Sequence, residues 1–257
     1  MEVNLWKQTA FLLYTEQVEK EKSDFMKKDY VKKILSREEW LTAKMKTIGG
    51  SEAAAIVNKS KWVSLDDLYN KFIYGKVKRV ASNERMVEGT IAESNIRNLF
   101  ALDFAKKFEV IAPPKRKQWF FYLRNKPYIS CTPDGLLINK QTHNLWALEI
   151  KDVELRTKED KNLWESDLLP DQYYFQNLQS MVVIKELEGA VLFAHLKYFK
   201  HNDQTDEWEF DYAVDRPYFI IRDSVSAHIE YLEKRETDFY ENNVKARKRP
   251  KLVISLN

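Results

Sequence analysis

Apolar and polar positions alternate most cleanly between residues 145 and 151. Trp146, Leu148 and Ile150 fall in one phase, Glu149 and Lys151 in the other. A period of two predicts a strand with Glu149 and Lys151 on one face and Ile150 on the opposite face. Two charges at the end of such a strand sit at the margin of a buried sheet, where loose solvated charges are unexpected. Further strand signals cover 119–123, 128–132 and 135–138, with a turn at 140–144. A second strand pair covers 190–199 and 207–214 around a polar turn at 201–206.

Helical spacing predicts the other elements. Ser36 and Glu39 match a capping box, opening a helix that carries Trp40, Leu41 and Met45 and stops at Gly49-Gly50. Ser51-Glu52 then caps a helix over 53–57. Residues 64–74 put Leu65, Leu68, Tyr69 and Phe72 on one inner face, and a basic loop at 75–82 follows. A long helix over 83–107 aligns Gly89, Glu93, Ile96 and Phe100 on one stripe, where an acid is out of place unless something there requires it. Residues 173–183, behind Pro170, read as a buried helix and 222–243 as a terminal amphipathic one. The first fifty residues read as helical and charged. The order helices, meander, helix, hairpin, helix is an α+β, sandwich-like fold around a central mixed sheet flanked by helices. We expect one domain over 1–257, with a core of about 36–200, N-terminal helices in 1–35, and a C-terminal helix with basic tail over 222–257 as appendages.

Composition changes this picture little. The 257 residues carry 44% hydrophobic side chains and a net charge of +3, so local clusters (115–117 and 245–251) say more about nucleic acid than the total does. The single cysteine, Cys131, excludes intramolecular disulfides, Cys-ligated zinc and iron–sulfur clusters. No signal peptide opens the chain and no run of about 18 apolar residues is present, so the expectation is a soluble protein of a reducing, cytoplasmic compartment, without a membrane.

Three carboxylates stand out: Glu93 on a helix, Asp134 in Pro133-Asp134-Gly135, and Glu149 at a strand end. If they converge, mutual repulsion raises at least one pKa unless cations compensate. Oxygen donors of this kind suit Mg²⁺ or Mn²⁺, two per site, which would activate water and stabilise the attacking and leaving oxygens. Lys151 would add positive charge at a phosphate, and the Ile150 carbonyl is a further candidate metal ligand. From spacing alone a bland alternative stays open, because Asp-Gly is a frequent turn and Glu-x-Lys a frequent surface strand.

Four blocks in register resemble the lambda exonuclease / YqaJ / RecE family of phage-type recombination nucleases, which have a PD-(D/E)XK restriction-endonuclease-like core. They are residues 40–56 ending in Ile48-Gly49-Gly50-Ser51-Glu52-Ala53-Ala54-Ala55-Ile56; Gly89-Thr90-Ile91-Ala92-Glu93 with Arg97, Leu99 and Phe100 behind it; Cys131-Thr132-Pro133-Asp134-Gly135-Leu136 leading into Leu148-Glu149-Ile150-Lys151; and Pro170, Tyr173, Gln176 and Met181. The resemblance implies metal binding by Glu93, Asp134 and Glu149, catalysis by Lys151, and an active-site glutamine at Gln176 with Tyr173 one turn earlier. It also implies that Ser51, with Gly50 and Lys44, holds a 5′-phosphate. Lys44 departs from the arginine usual seven residues before that serine, and a lysine does not grip a phosphate bidentately.

The implied activity is a metal-dependent exonuclease acting on double-stranded DNA ends, 5′→3′, in a homo-oligomeric ring (trimer or tetramer) with a single-strand annealing protein as partner. Two rivals are an endonuclease or repair nuclease of the same fold, and a non-catalytic DNA-binding scaffold. Gln179 reads as a core polar residue, the four histidines as structural, Trp119 to Tyr122 as sheet core, and Arg97 as the surface partner of Glu88.

Overall fold

The computed structural model of the chain describes residues 28–76, 84–165 and 169–251, with side chains over 84–91 not described. In chain order the elements are β1 (Tyr30–Leu35), α1 (Arg37–Lys44), α2 (Gly50–Ile56), α3 (Leu65–Tyr74), α4 (Glu84–Asp103), β2 (Phe108–Ile111), β3 (Gln118–Leu123), β4 (Ser130–Cys131), β5 (Gly135–Asn139) and β6 (Leu145–Leu155). Then come α5 (Lys158–Glu165), α6 (Asp171–Val183), β7 (Leu187–Asn202), β8 (Glu207–Ile221) and α7 (Ser226–Phe239).

The alternation at 145–151 seeds the larger sheet, whose order is β2-β5-β6-β7-β8. β6 pairs antiparallel with β5 (Gly135↔Leu148) and parallel with β7 (Glu149↔Leu192), so the sheet is mixed as expected. The Trp146, Leu148 and Ile150 face packs with Leu137, Val191 and Phe193 under Ile96 and Phe100 of α4. The opposite face, including Ala147 and Ala190, packs on α2, α6 and α7 through Ile56, Leu178, Met181 and Leu232. Burial of these side chains is the main drive for the three-layer arrangement. Gln179 is a buried core polar group as expected: its Nε2 donates to Ser130 O (3.2 Å) and to Glu236 Oε1 (2.7 Å), while its Oε1 has no hydrogen-bond partner among the described residues.

Several expectations need correction. Residues 30–35, expected to be helical, form β1, which pairs with β3 (Tyr30↔Leu123 to Leu35↔Gln118); the expected helices before residue 28 lie outside the described residues. Lysines hid this strand, for Lys32 and Lys33 lay their stems along its pleat, their ammonium groups 4.4 Å and 5.4 Å from the Trp119 and Tyr122 rings. β1, β3 and β4 form a separate sheet, so the expected continuous meander is two sheets. The predicted assignment of Trp119 to Tyr122 to a sheet core holds, with Trp119, Phe120 and Phe121 buried.

The first helix ends at Lys44, short of Gly49, because Ile48 leaves to pair with Ile129: its N–H donates to Tyr128 O (2.7 Å) and its carbonyl accepts from Ser130 N (2.9 Å). Strand β2 and helix α5 lie where no element was expected. The long helix stops at Asp103 rather than 107, and the C-terminal helix is divided into a 3-10 turn (Arg222–Val225), α7 and a π turn (Tyr240–Lys245). The basic loop begins where Gly75 takes φ 63°, a left-handed cap that a side chain would strain; 77–83 lie outside the described residues. Of the basic tail, Arg249 is tied to Asp66 at 2.7 Å.

Gly189 of β7 gives a direct test of this packing. A Cβ there would collide with the Trp146 ring and the Ile220 carbonyl. Gly189→Ala should therefore lower stability by about 1–3 kcal/mol, the usual cost of overpacking, measured by urea unfolding; an unchanged midpoint would contradict the packing of β6 against β7.

Candidate active site

Strand pleat places Glu149 and Lys151 together at the point where β6 passes under the N-terminal half of α6. Glu149 is buried, and its Oε1 accepts from Lys151 Nζ at 2.5 Å and from Gln176 Nε2 on α6. Asp134, in the link from β4 to β5, is fixed by a 2.7 Å bond from the Ile150 N–H to its Oδ2. That bond uses the odd residue of the Glu-x-Lys step, so the backbone that displays the two charges also anchors the third. Glu93 arrives from α4, paired with Arg97 one turn on.

Electrostatics show that these groups share one environment. Burial, then the charge of Asp134, raises Glu149 to about 8 against the pull of Lys151. Burial and Asp134 likewise raise Glu93 to about 7, with Arg97 and Lys151 opposing. Asp134 is raised by burial, with Lys151, the Ile150 amide and Arg97 opposing. Burial works against the charge on Lys151, but Glu149 and Asp134 outweigh it and hold its pKa above the ordinary value.

Glycines let the second wall close. α2 begins at Gly50, not at the expected residue 53, and its cap is Gly49, whose N–H donates to Glu52 Oε2 at 3.0 Å. A Cβ on Gly50 would come to 3.1 Å from Gln176 Cγ, so glycine lets α2 approach the glutamine that touches Glu149. Ser51 is exposed on the first turn. Lys44 lies with its ammonium 4.5 Å from the Trp40 ring and pairs with no carboxylate among the described residues. Burial lowers its pKa, Glu52 opposes, and the neighbouring Lys71 adds to the fall; the charges of Glu149 and Lys151 also reach it. The Tyr173 ring centre is 5.4 Å from Lys151 Nζ.

The expected residues thus meet in one place: Glu93, Asp134, Glu149, Lys151, Gln176 and Tyr173 form the centre, with Lys44 and Gly50 beside it. Two contributors escaped the sequence. Arg97, expected on the surface, is largely buried and pairs with Glu93, at an i, i+4 spacing visible in the sequence; its expected partner Glu88 has its side chain outside the described residues. Lys71 is buried against Glu52 (2.6 Å) and Thr47 O (2.7 Å), so it supports the glycine turn. The histidines stay outside: His195 pairs with Asp215 and His228 with Tyr174.

A hard divalent cation suits this oxygen-donor set, whose three carboxylates are opposed among the described residues by Arg97 and Lys151. No three His, Cys, Asp or Glu side chains among the described residues are already drawn together as a metal cage. Arg97 and Lys151 hold two of the acids in ion pairs that a cation would replace.

Comparison with known proteins follows the same residues. Residues 39–186 match the family described as the YqaJ-like viral recombinase domain. The chain is 25% identical over 228 residues to the uncharacterized protein YqaJ of Bacillus subtilis, covering 81% of this chain and 66% of that one, a little under two thirds of the relative's length. Its fold is similar to the crystal structure of an alkaline exonuclease from Laribacter hongkongensis, with TM-score 0.52, 17% identity, and coverage of 82% of this chain and 96% of that one. The expected PD-(D/E)XK architecture is therefore the fold observed. No helix of the described residues is long and apolar enough to cross a membrane.

The raised carboxyl groups fix a sign for stability. Folded, Glu93 and Glu149 keep protons that the unfolded chain gives up above about pH 4.5, so stability falls as pH rises from there through 8. In metal-free buffer the melting temperature should drop across that window by an amount on the order of several degrees, and Glu149→Gln should flatten the drop. A flat wild-type profile would contradict the shared acidic site.

Proposed function

The chain belongs to the YqaJ-like viral recombinase domain family, and from that premise we propose that it is a metal-dependent DNA exonuclease. It digests one strand of linear duplex from its end, 5′→3′, leaving 3′ single-stranded overhangs for recombination by strand annealing. The observation that carries this reading is the meeting of Glu93, Asp134 and Glu149 around Lys151 at a buried sheet end. A DNA-binding scaffold has no use for clustered acids that repel phosphate.

In this reading Glu93, Asp134, Glu149 and the Ile150 carbonyl would hold Mg²⁺ or Mn²⁺, two per site, which would supply an activated water and charge neutralisation at the attacking and leaving oxygens. Lys151 turns its ammonium to the scissile phosphate, where negative charge develops. Gln176 orients the water. Tyr173 packs beside Lys151 and excludes bulk solvent from its ammonium. Gly50, Ser51 and Lys44 hold the 5′-terminal phosphate, whose charge opposes the burial that lowers the Lys44 pKa. The remaining proposals are a homo-oligomeric ring of three or four copies, a single-strand annealing protein as partner, and an intracellular site of action.

The deciding experiment is digestion with Mg²⁺ of linear duplex labelled at either end beside closed circular DNA. Loss of the linear substrate alone, from its 5′ ends, supports the reading; cutting of circles replaces it with an endonuclease, and no cutting by folded protein leaves a binding module. Glu149→Ala and Lys151→Ala should each lower the rate by about 10²–10³-fold or more with folding intact. Normal rates in either variant would sink the assignment.

Lys44→Ala and Ser51→Ala should weaken cutting of 5′-phosphorylated ends by about tenfold, the value of one charge-assisted hydrogen bond, and spare 5′-hydroxyl ends. Equal loss on both ends would remove the phosphate pocket from the site.

A further inference from the structure

One aromatic side chain beside the acidic centre has no part in the proposed chemistry. Trp62 stands on the link between α2 and α3 with 53% of its surface exposed. Its ring lies 6.3 Å from that of Tyr173, inclined at 61°. Tyr173 in turn has its ring centre 5.4 Å from Lys151 Nζ and 5.2 Å from the ring of buried Trp164 on α5. The row Trp62, Tyr173, Trp164 thus runs from water into the core, and its middle ring touches the charged centre. A tryptophan carries a large apolar area whose burial is strongly favourable. Trp164 realises that burial, whereas Trp62 keeps about half of its surface in water.

The link that carries Trp62 is fixed at several points. Asn58 turns the chain out of α2 at φ 59°, a left-handed conformation that asparagine tolerates, and the Lys59 N–H closes back on Ala54 O at 2.8 Å. The Lys59 ammonium reaches Asp171 of α6 at 3.3 Å, which ties the link to the helix that bears Tyr173 and Gln176. Ser60 Oγ accepts from the N–H groups of Trp62 (3.2 Å) and Val63 (3.1 Å), and Ser64 caps α3 directly after them. A ring held in this way is in place before any ligand arrives, so little ordering cost is left for binding.

We infer that Trp62 is a stacking platform for an unpaired base of the strand being cut, a nucleotide or two from the phosphate at Lys151. Every base has a π face, so an indole beside the cutting centre grips a strand without reading its sequence. Exposed Lys61, adjacent in the chain, offers a cation to the backbone of the same strand. Bases inside a duplex are already stacked on one another, so the platform favours an end that has opened and specifies single-stranded or frayed termini. The inference rests on the proposed nuclease reading for its substrate, DNA.

Binding of a short 5′-phosphorylated oligothymidylate to the full chain in Ca²⁺, followed by tryptophan fluorescence and by anisotropy of a label on the probe, tests it. Wild type should bind with quenching. Trp62→Ala and Trp62→Leu, the second keeping apolar bulk without a π face, should each raise Kd by about 5–100-fold, the range of one base–aromatic stack. Trp62→Phe should recover most of that loss, with the quenching reduced. Probes carrying a single abasic site should reveal one position near the 5′ end whose base loss weakens wild type by the same factor and leaves Trp62→Leu unmoved. No binding by wild type, equal Kd for wild type and Trp62→Leu, no recovery with phenylalanine, or no abasic position that separates the two proteins would each overturn the inference. Digestion of linear duplex in Mg²⁺ is read in parallel: cutting without the stack removes the platform and keeps the nuclease, and the stack without cutting does the reverse.

Discussion

The gathering of three carboxylates, buried Glu149 and half-buried Asp134 and Glu93, beside Arg97 and Lys151 is the constraint that organises this molecule. An ionised carboxylate taken from water is costly unless paired and hydrogen-bonded. Each acid here has a partner: Asp134 the Ile150 amide, Glu149 the Lys151 ammonium and Gln176, Glu93 the Arg97 guanidinium. Burial is the first cause that raises all three carboxyl groups, and the charge of Asp134 adds to it for Glu93 and Glu149. Hydrophobic burial elsewhere holds the arrangement: Leu148 and Ile150 are pinned beneath Phe100 on one face, and Ala147 lies against the α6 side of the sheet on the other. Relaxing the acids would require β6 to leave both layers at once.

What was legible in the sequence follows from how local each signal is. The period-two run at 145–151, the Ser36 cap and the helix over 64–74 depend on neighbours within a few residues, and they appear where expected. The central acids were found individually, but their convergence depends on contacts from Glu93 to Glu149, far apart in sequence, and it entered through resemblance. What was missed is non-local. β1 becomes a strand because β3 offers it a ladder, and its lysines masked the pattern. Ile48 ends its helix early because Tyr128 and Ser130 supply better backbone partners. Arg97 turned inward because burial leaves Glu93 needing a cation.

The glycine turn shows how the two levels meet. Gly49 and Gly50 were read as a helix stop, and they are instead a cap and a clearance. Glu52 serves two ends, closing back on the Gly49 amide and gripping buried Lys71. Lys71 in turn bonds the Thr47 carbonyl, so the chain entering the turn is tied to the helix leaving it. The result is a stiff corner whose open side faces Gln176 and Lys44. Stiffness there has a chemical use, since preorganised donors lose less on binding an anion than mobile ones.

Lys44 gives that corner its character. Three ammonium groups, Lys44, Lys71 and Lys151, lie close enough to influence one another, while Glu52 and Glu149 are already engaged by the other two lysines. An arginine at 44 would stay charged whatever its surroundings and would add a planar fork that needs two acceptors. A lysine is compact and rests on the Trp40 ring, where burial and the neighbouring Lys71 lower its pKa while Glu52 opposes. In the proposed reading, lysine at this corner gives up the bidentate grip of an arginine on a phosphate for a single compact ammonium, and the glycine turn beside it supplies the remaining donors.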